Sequence, residues 1–113
     1  MLTIEHQETE NGTALVKLSG RLMLGPEGAQ LEAVVRELLT RGVRRFVFDM
    51  SGLSHIDSTG IGRCIASLSM ITQAGGKLTL AGAVGQVRDG FRITQLDRVF
   101  RFFDDVPTAT AAL

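Results

Sequence analysis

The chain has 113 residues, and its twelve basic residues balance its twelve acidic ones. This length predicts a single domain spanning residues 1–113, and the composition is typical of a globular protein rather than a disordered one. Because the net charge is zero, no overall field favours nucleic acid or anionic lipid, and we expect no direct nucleic-acid partner. The N-terminus lacks the basic and apolar regions of a leader sequence, and no apolar run reaches the roughly 20 residues that span a membrane. The chain has one cysteine, so no disulfide can form within it. We therefore expect a cytoplasmic protein without a membrane span.

Alternating apolar and polar residues near the N-terminus predict a β-hairpin. Leu2, Ile4 and His6 alternate with polar residues, and a second alternating segment begins at Ala14. The Asn-Gly pair between the two segments tolerates positive φ and favours a tight turn. Apolar residues at i, i+3, i+4, i+7 and i+8 from Leu31 then indicate a helix. The predicted elements are a strand at 2–7, a turn at Glu10–Gly12, a strand at 14–19, a connection at 20–28 and a helix from about Pro26 to Arg41.

The second half of the chain alternates strands and helices. Phe46–Phe48 is apolar on both faces, which is typical of a central parallel strand covered on two sides. The remaining predicted elements are a helix from about Ser58 to Ala74, a strand at Lys77–Ala81, a helix from about Val84 to Thr94, an edge strand at Val99–Phe102 and a short C-terminal helix after Asp105. The predicted apolar stripe of the first of these helices consists of Ile61, Cys64, Ile65, Leu68 and Ile71. Strand–helix alternation after a hairpin predicts an α/β fold with a mixed sheet.

Asp57-Ser58-Thr59-Gly60 joins an apolar strand to the following helix and is the strongest candidate for a functional site. The first N–H groups of a helix have no partner within the helix. In one interpretation, Asp57 or Ser58 simply caps them. In the other, Ser58 or Thr59 accepts a phosphate, because the positive end of the helix dipole stabilises an anion. Gly60 and Gly62 either allow the helix to pack closely on the sheet or keep its first turn slim enough for another protein to approach.

The run from Phe48 to Gly62, FDMSGLSHIDSTGIG, resembles the signature of STAS domains and, more narrowly, that of bacterial anti-sigma factor antagonists. The resemblance extends over nearly the whole chain, since the hairpin, Gly75–Gly76 before a strand and Val99–Phe100 near the end follow the order of the family. It implies a mixed sheet of four to five strands with about four helices packed mainly on one face. It also implies a regulator that is not an enzyme and needs no cofactor.

The resemblance further implies a partner-switching mechanism. The unphosphorylated antagonist binds an anti-sigma factor that is a GHKL-type serine kinase, and a sigma factor is released. The kinase then phosphorylates the first hydroxyl residue after the motif aspartate, the complex dissociates, and a PP2C-type phosphatase resets the cycle. By position in the motif, Ser58 is the phosphorylated residue, Thr59 the second hydroxyl residue and Asp57 the acidic one.

Met23 departs from the family pattern. The antagonists often have an aspartate at this place in the loop after the second strand, near the phosphorylated residue, whereas this chain has Gly-Arg-Leu-Met at 20–23. Met23 either contacts a partner or packs on the helix. The departure also supports a second interpretation, a non-switching STAS scaffold in a stress-signalling or lipid-transport complex. Arg63, in the first turns of the motif helix, is a further candidate for the partner surface.

Other functional classes need residues that this chain does not supply. A serine hydrolase requires Gly-x-Ser-x-Gly and a P-loop requires Gly-Lys-Ser/Thr, and neither pattern surrounds Ser58. In the Asp57–Gly60 motif the glycine comes one residue too late for the Asp-Thr/Ser-Gly loop of an aspartic protease. Two histidines and one cysteine scattered along the chain form no metal-binding pattern, so we expect no metal. Cys64 lies on the predicted apolar stripe and is expected to be a core residue.

Overall fold

The computed structural model describes residues 1–9 and 11–113 of the chain. The strands within these residues are β1 (Leu2–Glu8), β2 (Thr13–Leu22), β3 (Arg45–Ile56), β4 (Lys77–Ala81) and β5 (Phe102–Phe103). The helices are α1 (Ala29–Thr40), α2 (Ser58–Gln73), α3 (Gly85–Ile93) and α4 (Val106–Ala111), with short 3-10 turns at Pro26–Gly28 and Leu96–Arg98. The five strands form one sheet in the order β1-β2-β3-β4-β5. The predicted α/β fold with a mixed sheet is confirmed.

The sheet begins with a hairpin and continues with parallel strands. β1 pairs antiparallel with β2, with Leu2 opposite Gly20, and β2, β3, β4 and β5 pair in parallel. Glu10, in the expected hairpin turn, lies outside the described residues, and Gly12 has a φ of +75°, which suits glycine in a tight turn. Parallel neighbours require crossover connections, which contain α1, α2 and α3. As a result, the carboxyl ends of β2, β3 and β4 lie at one edge of the sheet, where α/β folds usually form their sites.

Three helices contribute to the main core, which lies on one face of the sheet. Phe46 and Phe48 of β3 are fully buried in it, together with Leu38 of α1, Ile71 of α2 and Phe91 of α3. Burial of a side chain of this size contributes about 1.5–3 kcal/mol relative to its exposure to water. This layer therefore holds α2, and with it the candidate site, against the central strand.

The short helix α4 packs on the other face. Its residue Ala109 packs with Val47 and Ala81, and the Thr79 hydroxyl donates a hydrogen bond of 3.1 Å to the Ala109 carbonyl. Asp105 caps the helix with its side chain, as acidic residues at a helix start commonly do. The expectation that the helices pack mainly on one face is therefore confirmed, with α4 as the exception.

Several predicted boundaries are wrong in the structure. β2 continues to Leu22 and β3 to Ile56, because these two strands pair with each other along segments that were expected to be connections. The last strand is Phe102–Phe103 rather than Val99–Phe102. A 3-10 turn precedes this strand and leaves Val99 52% exposed.

One predicted core position of α2 is also wrong. Ile65 is 41% exposed, whereas Ser67 is fully buried. The Ser67 hydroxyl donates a hydrogen bond of 3.0 Å to the Arg63 carbonyl, one turn earlier in the helix. Because the helix itself satisfies this hydroxyl, a serine can occupy the buried face.

Candidate functional site

β3 reaches the candidate site through two irregularities in its pairing with β2. The register shifts at positions 49–52 of β3 and again at 53–55, so that β3 contains one extra residue at each place. The Asp49 carboxylate stabilises the first shift, since it accepts the Ser51 N–H at 3.0 Å and the Ser51 hydroxyl at 2.7 Å. Each one-residue shift moves the side chains that follow it to the opposite face of the sheet, so two shifts restore the original alternation. After two shifts the strand ends on Ile56, which is buried on the core side.

Asp57 connects the start of α2 to the end of β2. Its Oδ1 accepts the Gly60 N–H at 2.8 Å and caps the helix, while its Oδ2 accepts the Leu24 N–H at 2.9 Å. Partial burial raises the pKa of Asp57, but the N–H groups of Gly60, Leu24 and Thr59 outweigh this effect and lower the pKa below its ordinary value. The carboxylate is therefore ionised near neutral pH, and each oxygen binds a backbone N–H group. Of the two residues expected to cap the helix, Asp57 does so.

Ser58 is the first residue of α2 and is exposed, whereas Thr59 is half-buried. Since Asp57 caps the helix, the Ser58 hydroxyl is not required for capping. An anion at this position would lie at the positive end of the helix dipole. Both oxygens of the neighbouring Asp57 carboxylate accept backbone N–H groups.

The two glycines of the motif have different environments. Gly60 is buried, and a Cβ atom on it would come within 2.8 Å of Ile56 Cγ1 and closer still to the Leu22 carbonyl oxygen. Gly62 is exposed, and a Cβ atom on it would meet no atom within 4 Å beyond its chain neighbours and the backbone of its own helix. Gly60 therefore allows α2 to pack against the end of β2, whereas Gly62 leaves the surface beside Ser58 flat.

Apolar side chains lie exposed in the loop that Asp57 binds. Met23 is 38% exposed and Leu24 is 81% exposed. The bond from the Leu24 N–H to the Asp57 carboxylate holds this loop beside the start of α2. Met23 and Leu24 therefore place exposed apolar side chains in this loop, where the family pattern has an acid, and the contact of Met23 with a partner or with the helix stays a prediction.

Arg63 connects α2 to α1. Its Nη1 lies 3.1 Å from Glu32 Oε1, and the two side chains are only 27% and 23% exposed. A Cβ atom on Gly28, which precedes α1, would lie 3.2 Å from Arg63 Nε, so the arginine also covers the start of that helix. The structure places Arg63 in an ion pair between two helices, and its predicted role in partner binding stays a prediction.

Gln86 was missed by the sequence analysis. Its side-chain Oε1 accepts the Ile56 N–H and its Nε2 donates to the Ile56 carbonyl, both at 2.8 Å. The two residues are 30 positions apart, and no local pattern indicates that an exposed glutamine near a helix start binds a distant strand. The glutamine contacts the residue that directly precedes the Asp57-Ser58 turn.

Cys64 is fully buried on α2, as expected for a core residue. Burial raises the pKa of its thiol to about 12, which makes it unreactive near neutral pH. Within residues 1–9 and 11–113, no three His, Cys, Asp or Glu side chains are grouped so as to hold a metal ion. In the same part of the chain, no helix has both the length and the apolar character to cross a membrane.

Comparison with known proteins identifies the class of this fold. Residues 4–109 match the family model of the STAS domain, and the chain therefore belongs to the STAS domain family. A proposed anti-sigma factor antagonist of Thermotoga maritima has a similar structure, with a TM-score of 0.87 at 20% identity over 96% of this chain and 92% of that one.

Two further solved structures show how widely the fold is used. The anti-sigma factor antagonist SpoIIAA in its unphosphorylated form has a TM-score of 0.73 at 18% identity, over 94% of this chain and 92% of that one. A sulfate transporter family protein of Wolinella succinogenes has a TM-score of 0.80 at 18% identity, over 94% of this chain and 88% of that one. At these identities the likeness shows the fold alone, and the fold is found both in antagonists and in a transporter family protein.

Proposed function

We propose that this chain is an anti-sigma factor antagonist that binds a GHKL-type anti-sigma kinase and is switched off by phosphorylation of Ser58. In this role it is a single-domain binding protein of the cytoplasm rather than an enzyme, and a PP2C-type phosphatase returns it to the active state. The observation that supports the proposal most strongly is the exposed Ser58 hydroxyl on the first turn of α2, free of the capping role that Asp57 fills.

The surface around Ser58 suits a switch of this kind. Met23 and Leu24 supply apolar area, and Gly62 leaves the adjacent surface open to a partner. Phosphorylation would add a charge of about −1.5 to −2 beside the Asp57 carboxylate, which already binds the Gly60 N–H. Burying that charge against an apolar surface is costly because the phosphate would lose its hydration. Phosphorylation of Ser58 is therefore expected to weaken a close complex while leaving the fold intact.

Phosphate mapping tests the proposed site. The protein is incubated with the GHKL-type kinase of its own organism and ATP, and the phosphorylated residue is identified by mass spectrometry. We expect one phosphate on Ser58, none on Ser58→Ala and normal phosphorylation of the matched control Thr59→Ala. Normal phosphorylation of Ser58→Ala would refute the assignment.

Binding measurements test the proposed release. Ser58→Asp should bind the kinase at least about tenfold more weakly than the wild type, which corresponds to about 1.4 kcal/mol. Ser58→Ala should bind like the wild type because it carries no charge. Equal affinities of Ser58→Asp and Ser58→Ala would show that charge at this position is not the release signal.

The exposed Met23 favours a second candidate, a non-switching STAS scaffold in a stress-signalling or lipid-transport complex. An apolar residue beside the turn suits a permanent contact that phosphorylation does not regulate. Isolation of the protein from its cells under mild conditions distinguishes the two candidates. Recovery of transporter subunits without a GHKL-type kinase would favour the scaffold, and recovery of the kinase would favour the switch.

A further inference from the structure

The end of β3 extends beyond the strand beside it. The last pair between β3 and β4 is Asp49 with Ala81, and β3 then continues through residues 50–56. Along this extension β3 pairs with β2 on one side, up to Leu22 opposite Ile56. Ile56 is only 2% exposed, so its peptide groups have little access to water and need protein partners on the side that β4 leaves free.

The side chain of Gln86 takes the place of the missing strand. Gln86 is the second residue of α3, and its amide both accepts the Ile56 N–H and donates to the Ile56 carbonyl. These two bonds of 2.8 Å reproduce the way in which a neighbouring strand pairs with one residue. In the flipped orientation, Nε2 would face the Ile56 N–H and Oε1 would face the Ile56 carbonyl, and neither pair could form a hydrogen bond. The hydrogen-bonding pattern therefore fixes the orientation of the amide.

We propose that Gln86 is a positioning residue that holds the Asp57-Ser58 turn in place from the side of α3. Ile56 directly precedes this turn, and Gln86 fixes both of its peptide groups. On the opposite side, the Leu22 carbonyl accepts the Asp57 N–H at 3.4 Å, and the Asp57 carboxylate accepts the Leu24 N–H at 2.9 Å. The turn is therefore held between the end of β2 and the start of α3.

The packing of α3 supports this role. A Cβ atom on Gly90 would lie 3.2 Å from Ile56 and 3.4 Å from Ile61, so α3 lies close to the end of β3 and the first turn of α2. A change in the position of α3 would be transmitted to the turn through the two bonds of Gln86. The position of the turn can be measured without a kinase, and the result does not depend on the proposed function of Ser58.

Amide hydrogen exchange, followed by NMR under native conditions, tests the inference. Gln86→Met keeps the length of the side chain and removes both hydrogen bonds. We expect the Ile56 amide to exchange about tenfold faster, the effect of losing one net hydrogen bond. The amides of Leu24 and Gly60, which donate to Asp57 and not to Gln86, should exchange about two- to tenfold faster, because the turn that carries their acceptor is loosened.

A matched variant and an internal reference make the result specific. Gln30→Met changes the exposed second residue of α1 in the same way and should leave all three amides unchanged. The Phe48 amide in the central strand reports global unfolding, so the rates are compared relative to it. If Gln86→Met does not fold, Gln86→Ala takes its place, since it also removes both hydrogen bonds and alanine has the highest helix propensity.

Two results would overturn the proposal. An unchanged Ile56 amide would show that the hydrogen bonds of Gln86 do not hold the strand end. A faster Ile56 amide with unchanged Leu24 and Gly60 amides would show a local contact without any positioning of the turn. A second readout is the pKa of Asp57 from a carboxyl NMR titration, which should rise towards its ordinary value in Gln86→Met as the backbone N–H groups move away.

Discussion

Replacing Asp57 with alanine should destabilise the fold by about 2 kcal/mol. The substitution removes the cap on the Gly60 N–H, which is worth about 1 kcal/mol. It also removes the bond to the Leu24 N–H, worth about another 1 kcal/mol. For 113 residues the unfolding entropy is ~0.24 kcal/mol per kelvin, so the melting temperature should fall by about 8 °C. Thermal and urea denaturation followed by circular dichroism measure both quantities.

The variant Asp57→Asn separates the two bonds. The asparagine side chain has one acceptor oxygen, so it can bind the Gly60 N–H or the Leu24 N–H, and not both in the present geometry. It should lose about half as much stability as Asp57→Ala, about 1 kcal/mol or about 4 °C. Equal destabilisation by the two variants would contradict the assignment of two separate hydrogen bonds to the Asp57 carboxylate. A fall in melting temperature of less than about 2 °C in both variants would contradict it as well.

The pH dependence of this stability has a defined sign. Because the pKa of Asp57 is lowered in the folded protein, its contribution is fully present above the pKa of the carboxyl group in the unfolded chain, about 3.9. The contribution is lost as the pH falls through the lower pKa of the folded state. The stability difference between the wild type and Asp57→Asn should therefore be constant from about pH 7 to pH 5 and should shrink below about pH 4. A difference that grew on acidification would contradict the assigned hydrogen bonds.

Three further predictions concern the neighbouring residues of α2. Gly60→Ala should lower the free energy of unfolding by about 2 kcal/mol through overpacking against β2, whereas Gly62→Ala should raise it by about 0.5–1 kcal/mol, as urea denaturation can show. The Cys64 thiol, with its pKa raised to about 12, should not react with iodoacetamide at pH 8 in the native protein and should react after unfolding. Arg63→Met should cost about 1 kcal/mol because it leaves the half-buried Glu32 carboxylate unpaired, and Glu32→Gln in the same protein should recover part of the loss.

The order of the elements could be predicted because apolar periodicity is a local property. The spacing of apolar residues from Leu31 onwards and the apolar run Phe46–Phe48 each lie within one element. The ends of β2 and β3 could not be predicted in the same way. Residues 51–55 of β3 are mostly polar and exposed, and they form a strand because β2 pairs with them. Ile65 is exposed because the buried face of α2 is turned towards Ser67, whose hydroxyl is satisfied within the helix.

By itself, the sequence determined the STAS family, the succession of strands and helices, and a helix that begins at Asp57-Ser58. Motif and periodicity involve residues that are close in the chain, so these features need no knowledge of distant contacts. Only the tertiary structure decided which residues hold that turn. Leu24 precedes Asp57 by 33 positions, and Gln86 follows Ile56 by 30. Contacts across such separations form only when parallel crossovers bring the ends of β2 and β3 and the start of α3 to one edge of the sheet.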